Sequence, residues 1–373
     1  MMKQELTYWF TLAMIPKIWT KRKNEIYVKC YNHVPRLSII QLFDDSTIWN
    51  ELGLSEDEMS LFYEARAQLA NNSFLVEELL AQGYNIIPID SFDYPRTLKH
   101  NLKAGAPSVI FTKGNVQLLQ KDSTAIVGSR NAGDMSLLFA KNVSQDQVEK
   151  GKVVVSGFAK GVDRQALDAA IEKNGESIIV LPQGITTFSA GYKLYYRYIV
   201  QGKVLVMSTF HPKARWSVEL AMARNPIIYG MANDIYVAQS DDKGGTWSGV
   251  IDGLRKKRVI YVRFPEEKEN NANVLLIEKG AKAVDINGFL LNENVLSSLK
   301  KETPNEYETL IVQYLTSGPK TSKEILQKTK LSWSDAKMKK YLRQLSSIEE
   351  FKIKNKIYFR LKGSVLQPSF DFE

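Results

Sequence analysis

The sequence predicts an α/β protein. A doubly wound, mostly parallel sheet forms its centre, with a helical N-terminal region before it and a small domain of three helices and a hairpin after it. Three observations carry this. Seven short apolar runs rich in β-branched residues lie between Ser108 and Phe264, several of them separated by helical stretches. Strands that are apolar on both faces and alternate with helices belong to a parallel sheet covered on both sides. Four of the runs end in turn chemistry, at Gly128-Ser129-Arg130, Ser156-Gly157, Pro182-Gln183-Gly184 and Gln239-Ser240. Ligands of such sheets sit at the carboxyl ends of the strands.

At 373 residues the chain has room for two or three domains. Its formal net charge of +9 favours anionic partners. Cys30 is the sole cysteine, so no intramolecular disulfide forms, and three scattered histidines with one cysteine do not make a zinc site of the usual kind. The opening "MMKQELTYWFTLAMIPKIWTKRKN" is short and aromatic, stops at Pro16 and lacks a small-residue cleavage pattern. No run of 18 apolar residues is present. The expected location is the cytoplasm.

Residues 1–82 read as helical. Within "SEDEMSLFYEARAQLANNSFLVEELLAQGY", Ser55 and Glu58 form a capping box, and Leu61, Ala65, Leu69, Leu75, Leu79 and Leu80 recur at helical spacing. No phosphate or metal pattern appears there, and a small helical accessory domain, SAM-like in type, is expected. Residues 83–292 carry the sheet, including "STAIVGSR", "KVVVSG", "SIIVLPQG" and "DIYVAQS". A linker is placed at 293–303, then a domain at 304–362 and a tail at 363–373. In that domain "EYETLIVQYLTSGPK", "TSKEILQKTKL" with its Thr321/Glu324 capping box, and "SWSDAKMKKYLRQLSSI" read as three helices, and "FKIKNKIYFRL" reads as a hairpin turning near Lys354-Asn355-Lys356. This is the plan of a winged helix. Fourteen Lys/Arg face seven Asp/Glu in residues 301–362, so most of the chain's excess positive charge sits in one sixth of its length. Contact with DNA, contact with a protein and a structural cap all fit that module.

The turns carry the chemistry. After "TAIV", Gly128 lets the chain leave its strand, Ser129 offers a hydroxyl and a backbone N–H, and Arg130 offers a bidentate, permanently charged fork. Alone this could be a turn with a solvated arginine. In "VVVSGFAKGVDRQALDAAI", Gly157 and Gly161 flank Phe158-Ala159-Lys160 ahead of a helix whose start makes an anion site, with Lys160 as a point charge. Asp163 is most economically the helix N-cap. The dinucleotide fingerprint G-x-G-x-x-G is absent, as is the G-K-[ST] of a triphosphate loop. Arg224 and Asn225 are placed ahead of a short apolar helix, and Gly244-Gly245-Thr246 form another loop with free N–H groups before a helix.

In order, "AIVGSR", "SGFAKGVDRQAL", "ARNPIIYGM" and "GGTWSGV" resemble the core of the DNA-processing protein A family (DprA, also called Smf). "IIPIDSFDYPRTLKHN" resembles that family's opening segment and "LIEKGAKAV" its closing one, and the tail resembles the winged helix that many members carry, so the likeness covers about residues 85 to 360. It implies an extended Rossmann-like domain that binds single-stranded DNA, forms a homodimer and helps load a RecA-type recombinase, in DNA recombination or natural transformation. It implies no cofactor, no metal and no catalytic residues. Carried over, the nucleic-acid contacts are Gly128, Ser129, Arg130, Ser156, Gly157, Lys160, Gly161, Arg224 and Asn225. Lys193, with Tyr192, Tyr195 and Tyr196, falls where the family has a further basic and stacking cluster, although those tyrosines also suit ordinary helix packing.

The sequence departs from the family in places. Leu167 stands for a histidine, Pro226 for the second arginine of RNR and Gln239 for a glutamate, and "ITTFSAG" replaces a Leu-Asp-x-x-Tyr-Pro segment. These mark a divergent member. The rival reading is a nucleotide sensor or a phosphoribohydrolase-like enzyme of the same superfamily, in a defence setting for instance. Such enzymes use a GGxGTxxE loop; here the glutamate is missing and Asp252 stands about one helical turn out of register.

Overall fold

The computed structural model describes residues 3–266, 269–292, 306–329, 331, 333–353 and 356–363. It divides into two compact units, Met1–Leu291 and Asn292–Glu373. The linker expected at 293–303, the tail after residue 363 and the hairpin turn at Lys354-Asn355 lie outside the described residues.

The first unit opens with five helices, α1 (Lys3–Met14), α2 (Thr20–Asn32), α3 (Ile39–Asp44), α4 (Glu56–Ala67) and α5 (Leu69–Ala81). The Ser55/Glu58 capping box is formed in both directions, and the helical run it starts breaks at Gln68 into α4 and α5. The boundary expected near residue 82 does not separate two units: these helices share one apolar cluster with the sheet. Buried Asn24 of α2 donates to the Ala104 and Ala106 carbonyls and accepts from Ser108 Oγ.

The sheet has nine strands: β1 (Asn85–Pro88), β2 (Val109–Gly114), β3 (Ser123–Val127), β4 (Val153–Ser156), β5 (Ser177–Val180), β6 (Val204–Ser208), β7 (Asp234–Val237), β8 (Ile260–Arg263) and β9 (Lys282–Val284). Their order is β1-β2-β6-β5-β4-β3-β7-β8-β9. From β6 to β9 all pairs are parallel; β2 runs antiparallel to β6 and to β1. The expected mostly parallel sheet is therefore present, extended by two antiparallel strands at one edge. Its strands are apolar on both faces because both faces are covered. In β3, Ala125 and Val127 point into one core cluster and Ile126 into the other; in β4, Val153 and Val155 oppose Val154 in the same way.

Six further helices connect the strands: α6 (Arg96–Leu102), α7 (Asp134–Glu149), α8 (Val162–Glu172), α9 (Ser189–Val200), α10 (Val218–Met231) and α11 (Gly245–Arg255). A short α12 (Asn273–Glu278) precedes β9. The chain fills the sheet outward from β3 to β6, then returns to place β7 on the free side of β3. The order reverses there, and the loops after β3 and β7 diverge.

The second unit holds α13 (Glu306–Leu315), α14 (Ser322–Thr329), α15 (Asp335–Leu342) and a hairpin of β10 (Ile348–Ile353) with β11 (Lys356–Leu361). Three helices and a hairpin surround their own core of Ile311, Leu315, Ile325, Met338, Leu342, Ile348 and Phe359. The Thr321/Glu324 capping box is formed. Several basic groups of this unit are matched internally: Lys339 by Asp335 at 2.7 Å, Arg343 by Glu350 at 2.8 Å and Arg360 by Glu349 at 2.7 Å.

Candidate nucleic-acid interface

A cleft of about 340 Å³ opens at the carboxyl ends of β3 and β7, where the strand order reverses. That is where an open parallel sheet leaves a crevice between diverging loops. Its walls are the loop Gly128–Asn131, residues Ala159 and Asp163, one face of α10 and residues Lys243 to Thr246, where the chain enters α11.

The first two loops lock together through their backbones. A Cβ on Gly161 would lie 2.6 Å from the Ser129 carbonyl oxygen and 2.8 Å from that of Arg130, and Gly161 has a φ of +86°. Both facts require glycine at this position. A Cβ on Gly128 would meet Val162 Cγ2 at 2.6 Å. The cradle that follows β4 is thus pressed against the turn that follows β3, and Arg130 and Lys160 end up exposed on neighbouring loops.

Several expected contacts have other duties. The Ser129 N–H does not face outward; it donates to the Gln239 carbonyl at 2.9 Å, and Ser129 Oγ accepts from the Asn131 N–H at 3.1 Å. Ser156 is buried and donates to the Ile126 carbonyl at 2.7 Å, tying β4 to β3. Gly157 is buried because the Arg224 guanidinium fills the space where its side chain would be. Arg224 is only 4% exposed. It stands inside α10 rather than ahead of a helix, and donates through Nη1 to the Val180 carbonyl at 2.7 Å. Arg224 therefore braces the cradle from beneath while its edge reaches the cleft wall. Asp163 is not the N-cap of α8, a place taken by Gly161; it is the second helical residue and is buried. It faces Arg224 and the backbone N–H groups of Gly157 and Ala159. Burial raises the Asp163 carboxyl above its ordinary value despite those partners, and burial lowers the Arg224 guanidinium despite Asp163.

The structure brings Gly128, Ser129, Arg130, Arg224 and Asn225 to one cleft, with Lys160 and Gly161 on its rim. Lys193 lies outside it, exposed on α9. Of the tyrosines beside it, Tyr195 is 2% exposed and Tyr192 is half-buried, both packed on neighbouring rings, whereas Tyr196 is 63% exposed. The packing explanation holds for the first two. Met222 and Tyr229 also line the cleft; at three residues before and four after Asn225 they share its helix face, a spacing visible in the sequence once α10 is taken to span it. Asp252 lies outside the cleft and pairs with Lys256 at 2.7 Å. Gln239 accepts from the Gly133 N–H and from Ser136 Oγ, at 3.1 and 3.0 Å, and so fixes the start of α7. Among the described residues no helix is long and apolar enough to cross a membrane.

The family model for DNA recombination-mediator protein A matches residues 85–294. The DNA processing protein DprA of Bacillus subtilis (strain 168) is 29% identical over 206 residues, covering 54% of this chain and 69% of that protein. DprA of Streptococcus pneumoniae (strain ATCC BAA-255 / R6) is 32% identical over 156 residues, covering 42% of this chain and 55% of that protein. The X-ray structure of DNA processing protein A from Streptococcus pneumoniae has the same fold, with a TM-score of 0.61 at 23% identity over 80% of this chain and 98% of that one.

Proposed function

The chain belongs to the DNA recombination-mediator protein A family, and from that premise we propose that it binds single-stranded DNA along the carboxyl edge of its sheet and acts as a recombination mediator. One observation supports the reading: two glycine loops, packed backbone to backbone at the carboxyl ends of β3 and β4, carry Arg130 and Lys160, both exposed. Two cations on neighbouring loops suit successive phosphates, since each phosphate contact needs its own charge or N–H donor. Asn225, Gly128 and Gly161 shape the same surface, and Arg224, Ser156 and Gly157 hold it in place from below.

The function is binding without bond chemistry. Of the carboxylates lining the cleft, Asp163 is buried against Arg224, and Asp241 is exposed on the far loop. The proposed assembly is a homodimer that presents two strands together and hands them to a RecA-type recombinase. The winged helix, with its own core and its basic excess, is a separate contact for DNA or for a protein.

Binding of oligo-dT measured across a salt series tests this. Affinity is expected to fall steeply with salt, and Arg130→Ala is expected to remove most of it. Millimolar affinity at low salt would overturn the proposal. A cleft of about 340 Å³ also has room for a free nucleotide. Thermal stabilisation by a mononucleotide but not by oligo-dT would favour that second reading.

A further inference from the structure

We propose that Arg164 is a base-stacking shelf, which takes one base of the strand as it leaves the Arg130–Lys160 cradle toward α9. This rests on the single-stranded DNA reading above.

Arg164 lies on α8, one turn beyond Lys160. Its guanidinium sits over the Phe158 ring at 4.8 Å and near the Tyr195 ring at 5.3 Å. Asp168, one turn further on, holds the Arg164 Nε through both carboxylate oxygens at 3.1 and 2.9 Å, and accepts from the Tyr195 hydroxyl as well. The planar group thus packs against two rings and is held at Nε by a carboxylate, while the Arg164 side chain stays 34% exposed. Its charge is already matched by Asp168. What it offers the solvent is therefore a rigid plane rather than a net charge. Guanidinium planes stack on nucleobases.

The support beneath is costly to build. Phe158 has a φ of +61°, a left-handed conformation that is strained for an aromatic residue. That conformation places the ring edge-on to Phe188 at 4.8 Å and Tyr195 at 5.6 Å, under Arg164. The place in the sheet fits a track. Along the order β7-β3-β4-β5, Arg130 follows β3, Lys160 and Arg164 follow β4, and exposed Lys193 and Tyr196 belong to the helix after β5. Neighbouring strands are about 4.8 Å apart, so the path from β3 to β5 spans two strand spacings, about 10 Å, on the order of two extended nucleotides.

The test compares oligo-dT with an abasic deoxyribose-phosphate strand of equal length, across a salt series, for wild type, Arg164→Ala, Arg164→Lys and Arg130→Ala. Wild type is expected to prefer oligo-dT. Arg164→Ala and Arg164→Lys are expected to lose about tenfold in oligo-dT affinity, to bind the abasic strand as wild type does, and to keep the wild-type salt slope. Arg164→Lys keeps the pair with Asp168, so its loss reports the plane rather than the fold. Arg130→Ala is expected to weaken both strands and flatten the slope. Equal wild-type affinity for the two strands, or Arg164 variants that bind oligo-dT normally or flatten the salt slope, would overturn the shelf and leave the DNA reading standing. Binding of neither strand by wild type overturns both.

Discussion

Gly157 and Arg224 occupy one space: a Cβ on residue 157 would lie 1.8 Å from Arg224 Nη1 and 2.4 Å from its Cζ. The guanidinium cannot swing aside cheaply, because it is buried, donates to the Val180 carbonyl and faces Asp163. Gly157→Ala is therefore expected to destabilise the protein by roughly 2–4 kcal/mol, in the range for disturbing a buried charge and its partner. Urea unfolding of the variant beside wild type measures this; an unchanged midpoint would contradict it.

Gly161 sets the distance between the two loops. Gly161→Ala combines a left-handed φ of +86° with backbone oxygens at 2.6 and 2.8 Å. Backbone cannot rotate away as a side chain can. The expected outcome is a loss of about 2 kcal/mol or more, together with weaker oligo-dT binding as Arg130 moves with its carbonyl. Fluorescence anisotropy and thermal melting on the same sample check the two effects together.

Arg130→Ala is expected to lower oligo-dT affinity more than tenfold and to reduce the magnitude of the salt slope by about one. A titration at several salt concentrations reads both. Loss of affinity with an unchanged slope would show that Arg130 does not meet a phosphate.

Lys23 predicts a pH dependence. Its ammonium is buried, donates to the Ala13 carbonyl at 2.6 Å, and is pulled down to about 8 by burial. In the unfolded chain a lysine titrates near 10.4. Between these values the unfolded chain binds more protons than the folded one, so this group makes stability rise with pH, by up to about 1.4 kcal/mol for each unit of separation. Lys23→Met is expected to flatten that rise. Denaturant unfolding of both proteins between pH 7 and 10 compares the slopes.

Each unit has its own apolar core. A chain ended after residue 292 is expected to unfold cooperatively near the wild-type midpoint. It is also expected to keep its oligo-dT binding, because the cleft residues all precede that point. Circular dichroism and the same anisotropy titration test both.

Much of this protein was legible from its residues alone. Apolar runs without alternation announced strands covered on both faces, the capping boxes at Ser55 and Thr321 marked helix starts, and glycine turns marked the edge where a ligand would sit. Those signals are local, arising from side-chain period and backbone freedom within a few residues. The duties of individual side chains were settled by tertiary contacts. Arg224, carried over from the family resemblance as a nucleic-acid contact, became a buried brace, because α10 runs beneath the Gly157 turn. Ser129 lost its free N–H to Gln239, in the loop after β7 and more than a hundred residues away. Tyr195 and Tyr196 are adjacent, yet one is core and the other surface, since a helix turns about 100° between them. Charge and hydrogen-bonding capacity are properties of a residue type. Whether they face solvent or a neighbour depends on which distant segment the fold brings alongside, and at this sheet edge the meeting of the β3, β4 and β7 loops decides it.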